Sequence, residues 1–397
     1  MRKSIFLSTI VIAGIVLSSL SACSQEQSKS STPIKIGVTV PLTGEVSSDG
    51  QALQRGYNLW ADAVNQRGGL LGHRVLMDIE DDQSNGEVAS TLYTNIVSQK
   101  HDDFLFSSFT DASTLAGARV AEKYGYPFLE GSGEAPTTFQ QGLKNLFSVS
   151  LPATRYMDSF ADYILSLSGS QKPQTVAYAT SEDPFTWPQV LAVQDKLKGH
   201  LTQVAYIHYP AETTDYDTFA QEFVSSQADV VVLGTLSQQD CVPFVNYFKQ
   251  HQFNPMAVIA SSGPDQGTSF TDAIVGPNAA QDIFVPNDGW FPTVKTYQND
   301  KFKKDYVAKY GGTADDISSD TVQAYSVGQV LEQAVNKTQS LDHTKIINEL
   351  RSDSFDSLQG PVKFGTDGQN ILATPFLFQW QDGQLIPVFP IDQQQKI

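Results

Sequence analysis

From Ile34 onward the apolar residues fall on alternate positions. Ile34, Ile36, Val38 and Val40 share one face of an extended segment, which Pro41-Leu42-Thr43-Gly44 breaks. A helical pattern follows from about Gly50 to Asn65 and stops at Gly68-Gly69. His73 to Glu80 then predicts a strand, Val88 to Gln99 a helix, Phe104 to Phe106 a strand, Ser113 to Tyr124 a helix, and Pro127 to Glu130 a fourth strand. Strand and helix alternating in units of roughly 30 to 40 residues predict a parallel sheet with helices on both faces. The pattern restarts after about residue 151. Thr175 to Ala179, Gln203 to His208, Asp229 to Leu233 and Ala257 to Ala260 predict strands, with helices near 188–198, 215–226 and 238–251. Helical periodicity returns at 294–310, 318–336 and 343–351. Pro361 to Val388 reads as strands, with Asp367-Gly368 and Asp382-Gly383 as hairpin turns. Two copies of one α/β pattern followed by late helices predict a chain that crosses between lobes more than once.

At 397 residues the chain exceeds one ordinary core and suits two lobes of roughly 150 residues each. Its first 22 residues read as an export leader: Arg2 and Lys3 are basic, Ile5 to Leu20 is apolar, and small residues follow. That apolar stretch is short for a membrane-spanning helix. Leu20-Ser21-Ala22-Cys23 resembles the bacterial lipobox, which implies lipidation of Cys23 and attachment to a membrane. Ser24 to Pro33 carries no apolar residue and reads as a flexible tether. The formal net charge is −17, and loss of Arg2 and Lys3 with the leader makes the body more acidic still. Such a charge disfavours nucleic acid and anionic lipid as partners. Once Cys23 is lipidated only Cys241 remains, so no intramolecular disulfide is possible.

Ile36-Gly37-Val38-Thr39-Val40-Pro41-Leu42-Thr43-Gly44, Asn65-Gln66-Arg67-Gly68-Gly69-Leu70-Leu71-Gly72 and Glu80-Asp81-Asp82 resemble the opening of the branched-chain amino-acid-binding proteins. These are type I periplasmic binding proteins of ABC importers. Phe302 to Gly311, Tyr325 to Val335 and Gly360-Pro361-Val362-Lys363-Phe364-Gly365-Thr366-Asp367-Gly368 extend the similarity, so that it covers residues 34–390. The resemblance implies two doubly wound parallel-sheet lobes joined by a three-crossover hinge, with hinges near 149–154, 284–288 and 355–361. On this reading residues 34–151 and 287–358 form the N-terminal lobe, and 152–286 and 359–397 the C-terminal lobe. A ligand is expected between them, beyond the carboxyl ends of the strands.

Candidate binding residues follow from that geometry. Thr43 ends the first strand. Thr110, Asp111, Ser113 and Thr114 sit where the third strand enters a helix, a place rich in free N–H and hydroxyl donors. In the family this loop and the one after the next strand hold an amino acid's carboxylate. Asp111 reads equally well as a helix cap. In the second loop Ser132 and Gly133 allow close approach, whereas Glu134 stands about where relatives carry a donating Thr. A carboxylate there repels a ligand carboxylate unless it is protonated or turned away. Arg155 reads either as a partner for an anionic group, Glu134 included, or as a solvated surface residue. Phe185, Trp187 and Trp290 offer aromatic faces on polar loops. This pattern predicts weak or absent binding of leucine, isoleucine and valine, and a polar ligand with donor groups: an amide, a polyol, a nucleoside or a cationic amine. An amino-acid-like ligand stays open where Glu134 points to solvent or meets Arg155 across the closed cleft.

Other chemistries find little support. A calcium loop from Asp81 requires a Glu where Leu92 sits. The six histidines lack metal-binding spacing, and no nucleophile elbow, P-loop or dinucleotide fingerprint occurs. The expectation is a monomeric, extracytoplasmic, non-catalytic receptor without cofactor or metal. It delivers a small molecule to ABC permease subunits or, alternatively, reports it to a membrane kinase or chemoreceptor.

Overall fold

The structure, a computed structural model, describes residues 32–266, 268–275 and 280–390. The expected leader, Cys23 and most of the tether lie outside the described residues. The chain opens with β1 (Ile34–Val40), α1 (Ser47–Gln66), β2 (Val75–Asp81), α2 (Gly86–Asn95), β3 (Phe104–Phe106), α3 (Asp111–Tyr124), β4 (Phe128–Glu130), α4 (Pro136–Phe139) and β5 (Leu146–Ser148). These five strands form one sheet in the order β2-β1-β3-β4-β5, parallel throughout. Then come α5 (Asp158–Ser166), β6 (Thr175–Ser181), α6 (Thr186–Leu197), β7 (Thr202–Tyr209), α7 (Asp217–Ser226), β8 (Val230–Gly234), α8 (Gln238–Gln250), β9 (Ala257–Ala260), α9 (Thr268–Ala273) and β10 (Ile283–Asn287). The chain continues through α10 (Asn299–Tyr310), α11 (Ser319–Thr338), α12 (His343–Ser352) and the small hairpin β11 (Phe355–Ser357) and β12 (Gly360–Val362). It ends in the antiparallel pair β13 (Phe376–Gln381) and β14 (Gln384–Phe389). The second sheet runs β14-β13-β10-β9-β8-β6-β7. The chain therefore passes between lobes after β5, after β10 and after β12. Among the described helices none is long and apolar enough to cross a membrane.

Period-two alternation explains why even the shortest central strand is buried throughout. Phe104 and Phe106 face a core built with Tyr57 and Trp60 of α1 and Val322 and Tyr325 of α11. Leu105 faces the opposite core, with Tyr93 of α2 and Val120 of α3. Trp60 is fully buried; removing a ring of that size from water is worth roughly 4–6 kcal/mol as an upper bound.

The sequence pattern missed α4, β5, α5, α9, β10 and β11. β5 has only three residues, too few for alternation to be read. β10 contains Pro286, which argues against a central strand. Its ladder with β9 involves only Ile283 and Phe284, so the proline lies beyond that pairing. α5 directly follows the first crossing. The expected assignment of everything after residue 358 to the second lobe also needs correction. Ser148 N–H donates to Gly368 O, Asn370 Nδ2 donates to Val149 O, and Phe364 packs on Phe147 at 5.1 Å. The segment through Asn370 thus rests on the first sheet's β5 edge, and second-sheet pairing resumes only at β13.

The approach of α1 to α11 depends on glycine. A Cβ on Gly328 would lie 2.2 Å from Trp60 Cδ2, and one on Gly56 would lie 2.3 Å from Thr321 O. Gly328→Ala is expected to lower unfolding stability by about 1–3 kcal/mol through overpacking. Helix propensity alone would raise it by about 1 kcal/mol, so a urea melt showing stabilisation would refute close packing here.

Candidate functional site

Two tyrosines fix the carboxyl end of the first sheet. Tyr57 Oη donates to Ser107 O at 2.8 Å from one face, and Tyr93 Oη donates to Phe106 O at 2.7 Å from the other. The acidic pair after β2 joins neighbouring loops. Asp81 accepts from Leu42 N–H, Thr43 N–H, Thr43 Oγ1 and Gln83 N–H. Slight burial pushes its carboxyl up, but these donors outweigh that and hold it below the usual range. Asp82 is fully buried and accepts from Thr39 Oγ1 and Ser108 Oγ. The side-chain oxygens of both residues thus accept from hydroxyl and amide donors of the neighbouring loops.

The loop after β3 enters α3 with Thr110 at φ 71°, ψ 147°, a conformation that costs a β-branched residue about 1–3 kcal/mol. Thr110 Oγ1 caps Ser113 N–H at 3.3 Å. The cap is therefore Thr110 rather than Asp111. Asp111 Oδ1 instead reaches across to accept from Ala135 N–H and Thr138 Oγ1, both at 2.9 Å. Thr114 is buried and donates to Ser108 O, and Ser113 is buried beside it.

The loop after β4 turns its donors inward. Glu130, fully buried, accepts from Ser132 N–H at 2.8 Å and Gly133 N–H at 2.7 Å. Ser132 Oγ donates to Gln323 Oε1 at 2.9 Å. Gly133 sits so close to Thr114 that a Cβ would meet its Cγ2 at 2.6 Å. Glu134 is 6% exposed. Its Oε1 accepts from Gln323 Nε2 at 3.1 Å and lies 3.5 Å from Tyr156 Oη in the first crossing. Gln323 Nε2 also donates to Asp288 Oδ2 at 3.0 Å, and Gln359 Nε2 donates to the same oxygen at 3.1 Å. One polar chain thereby links the β4 loop, α11, the first two crossings and the β11–β12 turn.

Electrostatically this centre is one-sided. Burial, then repulsion from Glu130, Asp111 and Asp288, raises the Glu134 carboxyl well above the ordinary range. Burial raises Glu130 and Asp320 to about 7, and Asp111 and Asp288 to about 6. Asp183, after β6, adds to the repulsion on Asp111, and Asp49 and Asp265 add to that on Asp320. Among the described residues none of these five carboxyls has a Lys, Arg or His partner within 4.0 Å.

The remaining candidates divide. Arg155 pairs with Asp158 at 3.4 Å and not with Glu134. Phe185 packs edge-on against Tyr156 at 5.2 Å, which brings it to the centre. Trp187 is 41% exposed and lies over His208 at 4.4 Å. Thr43 stays with Asp81. Trp290 is a core residue: it is buried, its indole N–H donates to Asn299 Oδ1 at 2.9 Å, and it packs on Phe302. Sequence reading missed Tyr156, Asp288, Asp320, Gln323 and Gln359. Asp288 stood two residues before the chosen Trp290, and its neighbour Gly289 was the available signal. Gln323 and Gln359 carried none.

Because these carboxyls have folded-state values above their unfolded values of about 4, the folded chain holds protons that the unfolded chain releases between about pH 4 and 7. Stability therefore falls as pH rises through that window. The melting temperature of the unliganded chain is expected to drop between pH 5 and pH 8. Glu134→Gln, which keeps both acceptor contacts, should raise it at pH 8 and change it little at pH 5. A variant less stable than wild type at pH 8 would contradict this electrostatic account.

Comparison with known proteins gives a consistent family. The profile described as periplasmic binding protein matches residues 33–384. A Leu/Ile/Val-binding protein homolog 8 from Brucella abortus (strain 2308) is 26% identical over 373 residues, covering 90% of each chain. Among solved structures, the branched-chain amino acid transporter substrate-binding protein of Streptococcus pneumoniae, in complex with isoleucine, superposes with TM-score 0.73 at 19% identity. The match covers 90% of this chain and 100% of that one. An R. palustris solute-binding protein in complex with benzoate gives 0.72 at 19%, covering 90% and 95%. With two parallel-sheet lobes, three crossings and a polar centre between them, the chain has the type I fold and belongs to the periplasmic binding protein family.

Proposed function

We propose that the chain is an extracytoplasmic solute receptor, held to a membrane by lipid on Cys23, that captures a small polar molecule between its lobes and hands it to the permease of an ABC importer. The observation that carries this reading is the chain of polar contacts from Glu134 through Gln323 to Asp288 and Gln359. It joins the β4 loop to the crossings, so a ligand contacting these groups is sensitive to how the lobes sit. A ligand that touches both lobes only when they are closed shifts the population toward the closed form. The names of the relatives, all solute-binding proteins, support capture rather than catalysis. The acidic body suits a partner other than nucleic acid. Thr110, Asp111, Ser113, Thr114, Ser132, Gly133 and Glu134 on the first lobe, with Phe185 on the second, are the proposed ligand surroundings. Tyr156, Asp288 and Gln323 join them.

Small-angle scattering of the purified chain against a panel of small metabolites is expected to give compaction with at least one of them. In cells, deleting the chain should abolish uptake of that compound. Loss of a kinase or chemotactic response with uptake intact would instead identify a sensor. For the anchor, Cys23→Ser is expected to release the protein into the soluble fraction or leave an uncleaved precursor. A wild-type mass with an unmodified N-terminus downstream of residue 23 would end the lipid claim.

A further inference from the structure

We infer that the ligand of this cleft is an organic cation without a carboxylate group, held by Glu134 and Asp288 and packed against the rings of Tyr156 and Phe185. The inference rests on the receptor reading above and names the class of solute. The first ground is the fate of the donors. An anion bound at the ends of β3 and β4 requires free N–H or hydroxyl groups there. Glu130 already takes the N–H groups of Ser132 and Gly133, and Asp111 takes Ala135 N–H and Thr138 Oγ1. Gln323 takes Ser132 Oγ, and Thr114 Oγ1 donates to Ser108 O. The loops that would cradle a carboxylate have turned these donors onto the protein's own acceptors.

The second ground is what remains. Glu134 is more than nine-tenths buried, and both of its contacts reach the same oxygen, Oε1. Among the described residues no other side chain donates to Oε2. Asp288 is 7% exposed, and both amide donors to its side chain reach Oδ2, leaving Oδ1 in the same condition. Each carboxyl thus keeps one oxygen that no other side chain engages, able to accept from a donor that a ligand brings. The groups facing them from surrounding elements are Glu130 on β4, Asp111 on α3, Asp320 on α11, Tyr156 in the first crossing and Asp265 after β9. All are acids or a phenol, so within the chain only protonation relieves the repulsion, and a positively charged ligand does so where the carboxyls are ionised. The third ground is aromatic. Tyr156 reaches toward Glu134 with its hydroxyl and packs edge-on with half-buried Phe185. Aromatic surface adjoining carboxyls in this way attracts an ammonium group.

Calorimetry on the purified full-length mature chain tests this. The probes are choline, putrescine and agmatine as cations, L-leucine, L-isoleucine, L-valine and benzoate as carboxylates, and acetamide and glycerol as neutral compounds. At least one cation is expected to bind, and every carboxylate to bind more weakly than it or not at all. A cation binds only after the raised carboxyls release their protons, so affinity should rise about tenfold from pH 6 to pH 8. At pH 6.5 the measured heat should depend on the buffer's ionisation enthalpy in the direction of proton release. Glu134→Gln should weaken the cation at least tenfold and remove that buffer dependence, with its own melting curve confirming that it folds. Tighter binding of a carboxylate or neutral probe, with compaction in scattering, would overturn the cation class and leave the receptor reading intact. Failure of all three cations would overturn it as well, and the uptake assay then judges the receptor reading separately.

Discussion

One amide holds the centre of this molecule. Gln323 accepts from Ser132 with its oxygen and donates with its nitrogen to Glu134 and Asp288. A neutral side chain thus serves two carboxyls that would otherwise repel each other in a poorly hydrated space. It eases their burial without supplying the charge that would neutralise them. Protonation or a positive guest must do the rest, and the raised affinity of these carboxyls for protons is the visible sign of that unmet demand. Everything around the amide keeps it in register: glycines let α11 settle onto α1, and tyrosines clamp the ends of the central strand.

Much of the architecture was legible beforehand because its causes are local. Alternation in Ile34–Val40, the Gly68-Gly69 stop and the Asp382-Gly383 turn each act within a few residues, and the two copies of the strand and helix pattern announced two lobes. The misses have physical reasons of another kind. β5 is three residues long and β10 carries a proline, so each has little signature of its own. The 360–370 segment could not be placed because its partners, Phe147, Ser148 and Val149, lie more than two hundred residues earlier.

The site was half legible. Loops at strand ends identified Asp111, Ser132 and Glu134 as central, since fold geometry dictates where such loops meet. The direction of their hydrogen bonds was hidden. Nothing in Glu130-Gly131-Ser132-Gly133 reveals that the glutamate takes the loop's own N–H groups. The aromatic choice failed at Trp290 because a polar loop sequence does not exclude a buried indole with an internal acceptor, here Asn299. The amides of Gln323 and Gln359 were invisible, because a single glutamine in a helix or before a turn is ordinary.

The threefold passage of the chain has a consequence for the order of assembly. Glu134 finds its amide partner 189 residues later in the sequence, and α1 waits for α11 before its tryptophan is covered. The first lobe therefore remains incomplete until nearly the whole polypeptide is present, and its closure must follow or accompany formation of the intervening lobe. Contacts of such long sequence separation make folding slow. A nascent chain of this design keeps its first lobe unfinished, and so pliable, for most of its synthesis.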